Sequence, residues 1–294
     1  MNCKKILMLL VVGVAQVPAH AQSSNKELDA LNQLCRQAAA SGDYSEAAAV
    51  CRRARFDASK LAPGSNEHIA SLINEAELKV KLGNHVDAVD IYGRALQMVE
   101  QRPGGGNTAE AAVLLERRAE SQMARGKNYE AELILRRALG IREKLFGPAS
   151  IKTAITRVRH ADTLTILQQQ FDALEQYRKA VKVFEAGGIE TRDRYLATRL
   201  SIAELLSRQS RREEAEVEFN RLLDDAQKPP RKSEYVIAAY DRLAWLRGLK
   251  GDVDGARGIY QREIDEIGTS GLRKDLMPQI DERLKALPVA ESTS

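Results

Sequence analysis

RGKNYEAELILRRALGIREKLFGP, residues 125–148, carries the pattern on which the rest of the chain is built. Gly126 is followed five positions on by Ala131, nine on by Leu135 and twelve on by Ala138, and the stretch stops at Gly147-Pro148. Positions three and four apart share one face of a helix, so 131, 135 and 138 form a buried stripe. Glycine at the entry lets a preceding helix close in the left-handed conformation without a Cβ penalty, and proline at the exit blocks continuation. The stretch predicts a tight turn followed by the second helix of a hairpin.

The same turn position recurs along the chain as Gly42, Gly83, Gly126, Gln168, Ser210 and Gly251, with an alanine five positions later each time. Those alanines, Ala47, Ala88, Ala131, Ala173, Ala215 and Ala256, are spaced 41, 43, 42, 42 and 41 residues apart. Twelve positions before each stands another small residue: Cys35, Ala76, Ala119, Ala161, Ala203 and Ala244. Two helices approach closely only where neither side chain holds the backbones apart, so these pairs mark hairpin contacts. A period of this length over nearly the whole chain is the signature of a repeat architecture. Repeats four and five lack the turn glycine, and repeat six has Glu263 where the others place Ala54, Ala95, Ala138, Ala180 or Leu222.

The turn segments SGDYSEA, LGNHVDA, RGKNYEA, QQQFDA, QSRREEA and KGDVDGA resemble tetratricopeptide repeats. YEAELILRRALGIREKLFGP, Tyr129 to Pro148, is similar to the long form of that repeat found in kinesin light chains and their bacterial relatives. The resemblance covers about residues 28–268. It implies an all-α, right-handed superhelical solenoid of about six helix-turn-helix hairpins, whose concave groove, built from first helices, docks a protein or peptide. The family's usual unit is near ~34 residues, so these units carry roughly two further turns of helix or link. Such arrays serve unrelated systems, so the resemblance names a mode of action and no partner.

After Gly268, Leu272, Leu276, Ile280, Leu284 and Leu287 form one apolar stripe, which predicts a capping helix over 271–287 with Pro278 kinking it or delaying its start. A short polar tail, 288–294, follows. At the other end Lys4, Lys5, the apolar run ILMLLVVGV and Ala19-His20-Ala21 read as a secretory signal peptide, residues 1–21, cleaved after Ala21. The run is short for a membrane span. The expectation is a periplasmic or secreted protein with no membrane insertion after cleavage, and a repeat array over 22–270. Cleavage removes two lysines, so the formal charge drops from +4 to +2, too little for general nucleic-acid binding.

Two cysteines remain, Cys35 and Cys51, placed symmetrically about the Gly42-Asp43 turn. In an oxidising compartment they are expected to bridge the first hairpin; otherwise they pack as two small apolar thiols. The residues just after the small first-helix position, Arg36, Glu77, Glu120, Asp162, Glu204 and Trp245, are expected to face the groove. Three positions earlier stand Arg117, Arg159 and Arg242. Two readings stay open: a charged ladder that receives an extended partner, or i, i+3 pairs, Arg117 with Glu120 and Arg159 with Asp162, that neutralise each other within one helix. Trp245 is expected to pack against the capping helix, with a ligand anchor as the alternative.

Catalytic and metal motifs are absent. The four histidines are scattered without a partner at ligand spacing, and Gly104 to Gly106 lacks the lysine and serine or threonine of a phosphate loop. No cofactor is expected. The sequence supports a non-catalytic exported scaffold or adaptor, with an accessory regulatory subunit of a cell-envelope enzyme, a cell-wall synthase or hydrolase, as the alternative.

Overall fold

A computed structural model describes residues 19–287. Positions 1–18 of the expected signal peptide and the expected tail, 288–294, lie outside the described residues. Among the described residues there are thirteen α-helices and no strand. They form two compact units, one reaching to Pro103 and one starting at Gly104.

The first unit contains α1 (Ala19–Ser41), α2 (Tyr44–Leu61), α3 (Asn66–Lys81) and α4 (His85–Glu100), which pack as two hairpins. The second contains α5 (Ala109–Ala124), α6 (Asn128–Phe146), α7 (Ile151–Ile166), α8 (Gln170–Ala186), α9 (Arg192–Arg208), α10 (Arg212–Gln227), α11 (Ser233–Leu249), α12 (Val253–Ser270) and α13 (Met277–Ala286). These are four hairpins and a terminal helix. In each hairpin the two helices pack on each other, and each second helix packs on the next first helix of its unit.

The small residues sit where the sequence demands. Both alanine rows, with Cys35 in the first position of one, are at most 1% exposed. The larger residues of the second helices, Cys51, Tyr92, Leu135, Tyr177, Phe219 and Tyr260, are buried behind them. Each repeat thus contributes a thin contact layer and one bulky filler, and neighbouring layers close the core.

All six turn residues have positive φ, including Gln168 (60°) and Ser210 (59°). At five of the turns the next residue's N–H reaches back five residues to a carbonyl, as in Asn84 to Lys79, Gln169 to Leu164 and Arg211 to Leu206. That bond satisfies the orphan carbonyl of the closing helix, so the motif outranks the residue type. Where the following residue is Asp43, Asn84 or Asp252, its side chain also accepts an N–H of the next helix and caps it. Pro278 delays the terminal helix: a 3-10 turn over Lys274–Leu276 comes first, and α13 starts only at Met277, with Pro278 in its first turn.

Candidate partner-binding cleft

Cys35 and Cys51 are joined by a disulfide that links α1 to α2, with Cα atoms 4.9 Å apart. Both are buried, together with Ala38, Ala39, Ala47 and Leu78. In the same unit Asn74 donates to the backbone carbonyl and side-chain oxygen of Asn32, 42 residues earlier. Glu77 lies partly exposed on α3 of this unit, and Arg36 is exposed on α1.

The remaining groove residues belong to the second unit. Here α5, α7 and α9 surround two adjoining cavities of about 500 Å3 and 320 Å3 that share Ile155, Arg159 and Arg194. Successive first helices contribute matching side chains at the repeat period. Val113, Ile155 and Ala197 supply an apolar row, and Glu110, Lys152 and Arg194 a polar one.

Glu116 is the buried hub beside this floor. One carboxylate oxygen accepts from Arg142 Nε at 3.0 Å and from the Thr156 hydroxyl at 2.6 Å; the other accepts from Arg159 at 2.7 Å. Arg159 reaches on to Glu120 at 2.9 Å. A pair this well buried is costly to break singly, because the partner left behind is an uncompensated charge.

The expected pair within α7 gives way to this arrangement. Arg159 pairs with acids of the preceding first helix, while Asp162 accepts a hydrogen bond from the Tyr177 hydroxyl at 2.5 Å. Burial pushes the Asp162 carboxyl up, opposed by Tyr177 and Arg159. The Tyr177 hydroxyl is pushed above the usual phenol range, first by burial and then by Asp162. Glu204 is likewise within 3.6 Å of Arg242 on the next first helix. Arg117 is exposed on α5 and has a partner of its own.

Trp245 departs from the expected packing. It is 45% exposed and lines a cleft of about 200 Å3 with Glu204, Arg208, Phe219 and Arg242. The apolar contact with α13 is made instead by Ile237, Ala244, Tyr260 and Ile267 around Ile280.

Sequence reasoning missed three cations. Lys152, Arg194 and Arg208 are exposed in these clefts, and none has an ion-pair partner among the described residues. Lys152 lies 4.5 Å over the Phe146 ring. Reading the first helices at the repeat period would have found two of them, since Lys152 and Arg194 are 42 residues apart.

Among the described residues no group of three or more His, Cys, Asp or Glu could hold a metal ion. No described helix is long and apolar enough to cross a membrane.

Residues 110–186 match the tetratricopeptide repeat family. No curated protein matches the sequence. Among solved structures, a putative kinesin light chain with nearly identical TPR-like repeats from Podosopora anserina is 16% identical with a TM-score of 0.60, covering 72% of this chain and 98% of that one. BtubC (BKLC) from P. vanneervenii is 16% identical with a TM-score of 0.61, covering 88% and 96%. YrrB, a TPR protein with an unusual peptide-binding site, is 16% identical with a TM-score of 0.52, covering 79% and 97%. At these identities the likeness is one of fold. Residues 110–186 match tetratricopeptide repeats, and the hairpins before and after them keep the same period, turn and buried rows, so the chain resembles tetratricopeptide-repeat proteins in fold well beyond the matched stretch.

Proposed function

We propose that this protein is an exported, non-catalytic scaffold that holds an extended, acidic segment of a partner protein in the cleft of its second unit. One observation carries the reading: the groove acids are already engaged while cations are left over. Glu116 and Glu120 are paired with Arg159, Asp162 is bonded by Tyr177, and Glu204 lies beside Arg242. Lys152 and Arg194 flank the apolar row of Val113, Ile155 and Ala197 with no acid of their own. A segment alternating carboxylate and apolar side chains would match both rows. Trp245 and Arg208 repeat the pairing of apolar face and free cation, and an exposed tryptophan is a strong anchor. The acids of the charged ladder expected to receive an extended partner become, in this reading, the scaffold that positions the cations.

Export rests on Lys4, Lys5, the apolar run and Ala19-His20-Ala21. Intact-mass analysis of protein recovered from outside the inner membrane should give Gln22 as the first residue; retention of residues 1–21 would reject cleavage.

The test of the cleft is site-specific photocrosslinking in cells, with the probe at exposed Ala197 or, as a control on a second helix, at exposed Glu213. Capture from 197, mapped to an acidic stretch of the partner, supports the reading. Lys152→Glu with Arg194→Glu should then weaken binding about tenfold, the sum of two partly exposed ion pairs. Capture only from 213 places the interface outside the cleft, and capture from 197 of a basic stretch rejects the acidic partner while leaving the cleft.

A further inference from the structure

The last hairpin differs from the others at one buried position. Ala54, Ala95, Ala138, Ala180 and Leu222 fill it in repeats one to five, each at most 1% exposed. In repeat six it is Glu263 on α12, which is also fully buried. Neither of its carboxyl oxygens has a hydrogen-bond partner among the described residues. A polar group in that state opposes the packing around it, and an ionised one opposes it far more.

The surroundings show what that opposition acts on. Ile280 of α13 is buried against Ile237, Ala244, Tyr260 and Ile267 of α11 and α12, so the terminal helix is seated on the apolar face of the last hairpin. An ion pair between Arg283 of α13 and Asp241 of α11 is its clasp. The groups facing Glu263 are Asp241 and Arg242 from α11, Tyr260 from its own helix, Arg283 from α13 and Arg273 from the connection. The arginine that acts on it most strongly, Arg283, is already committed to Asp241, which itself repels a second anion.

We propose that α13 is a proton-dependent latch: it stays seated while Glu263 is a neutral acid and is released when Glu263 ionises, uncovering the apolar face of the last hairpin.

Burial is the main cause that pushes the Glu263 carboxyl up from 4.5 to about 8, with Asp241 adding to it and Arg283, Arg242 and Arg273 opposing. Once α13 lifts, the carboxyl reaches water and titrates near its ordinary value. A pKa raised in the seated state favours seating fully below about 4.5, and that support is withdrawn as pH rises to about 8. Across that window the ratio of seated to released helix falls roughly tenfold per pH unit.

Hydrogen exchange on the full mature protein, corrected for intrinsic rates at pH 5, 6, 7 and 8, reads the latch directly. Opening of α13 amides should rise roughly tenfold per unit, while amides of α3 and α4 stay level. Glu263→Gln keeps the neutral shape and should abolish the slope. Glu263→Ala, the residue of four other repeats, should abolish it too and guards against a glutamine that fails to pack. A level wild-type profile, or a slope surviving in both variants, overturns the proposal.

Discussion

The two terminal hairpins solve one problem with different chemistry. Among the described residues each has a neighbouring repeat on one side only, and a repeat stack frays from such places. The first hairpin is closed by the covalent link between Cys35 and Cys51, set into the rows that elsewhere hold alanine and a bulky apolar residue. The last is closed by α13, seated through Ile280 and clasped by Arg283 and Asp241 over the buried Glu263. The first closure depends on redox state and ignores protons; the second depends on protons and ignores redox state. The fourth and fifth hairpins need neither, because hairpins of their own unit cover them on both sides.

That contrast can be broken at either side. Cys35→Ser with Cys51→Ser should cost the first hairpin about 3 kcal/mol, the entropy of a loop closed over 16 residues. The loss should appear as faster exchange in α1 and α2 and leave α12 and α13 unchanged. Titration of denatured, unreduced mature protein should find no free thiol; two would remove the covalent closure from the comparison.

At the other side Ile280→Ala should cost about 2–4 kcal/mol of seating for α13, as large-to-small changes in a packed site do. Exchange in α1 and α2 is the internal control. Glu263→Ala should act in the opposite direction, raising the melting midpoint at pH 7 through a gain of about 1–2 kcal/mol, because an unsatisfied buried polar group is removed. A destabilised Glu263→Ala protein would show that the carboxyl is a structural partner. The smallest effect concerns the interior turns. Gln168→Gly and Ser210→Gly each relieve a left-handed side-chain residue and should stabilise by about 0.5–1 kcal/mol, the backbone strain less the entropy of a new glycine.

Much of this architecture is legible without coordinates, because it depends on sterics that a short window captures. Ala88, Ala131 and the other small residues announce close helix contacts, and Gly83 or Gly126 announces its turn. Gln168 and Ser210 show that the period carries more information than the residue: position five before the alanine is left-handed even without glycine. Trp245 and the ion pairs were harder to read. Rules for helix faces compare residues three or four apart, but the partner of Arg159 is Glu116, 43 positions away, and that of Arg283 is Asp241, 42 away. Asn32 with Asn74 and Lys81 with the Ala39 carbonyl follow the same separation. In a stacked repeat, lateral neighbours are one period apart, and charges have to be compared on that ruler. Trp245 failed for another reason: its row fixes which way it points, but not whether the cap extends far enough to cover it.

The recurrence of 42-residue partnerships also limits how such a chain can change length. Inserting one residue inside a helix rotates every later side chain by about 100° and separates Asp241 from Arg283 or Glu116 from Arg159. Losing or duplicating a whole unit, by contrast, returns the same positions to the same lateral neighbours. Lineages descended from this sequence should therefore differ by whole hairpins and by changes in the links between them, while helix lengths within a unit stay fixed.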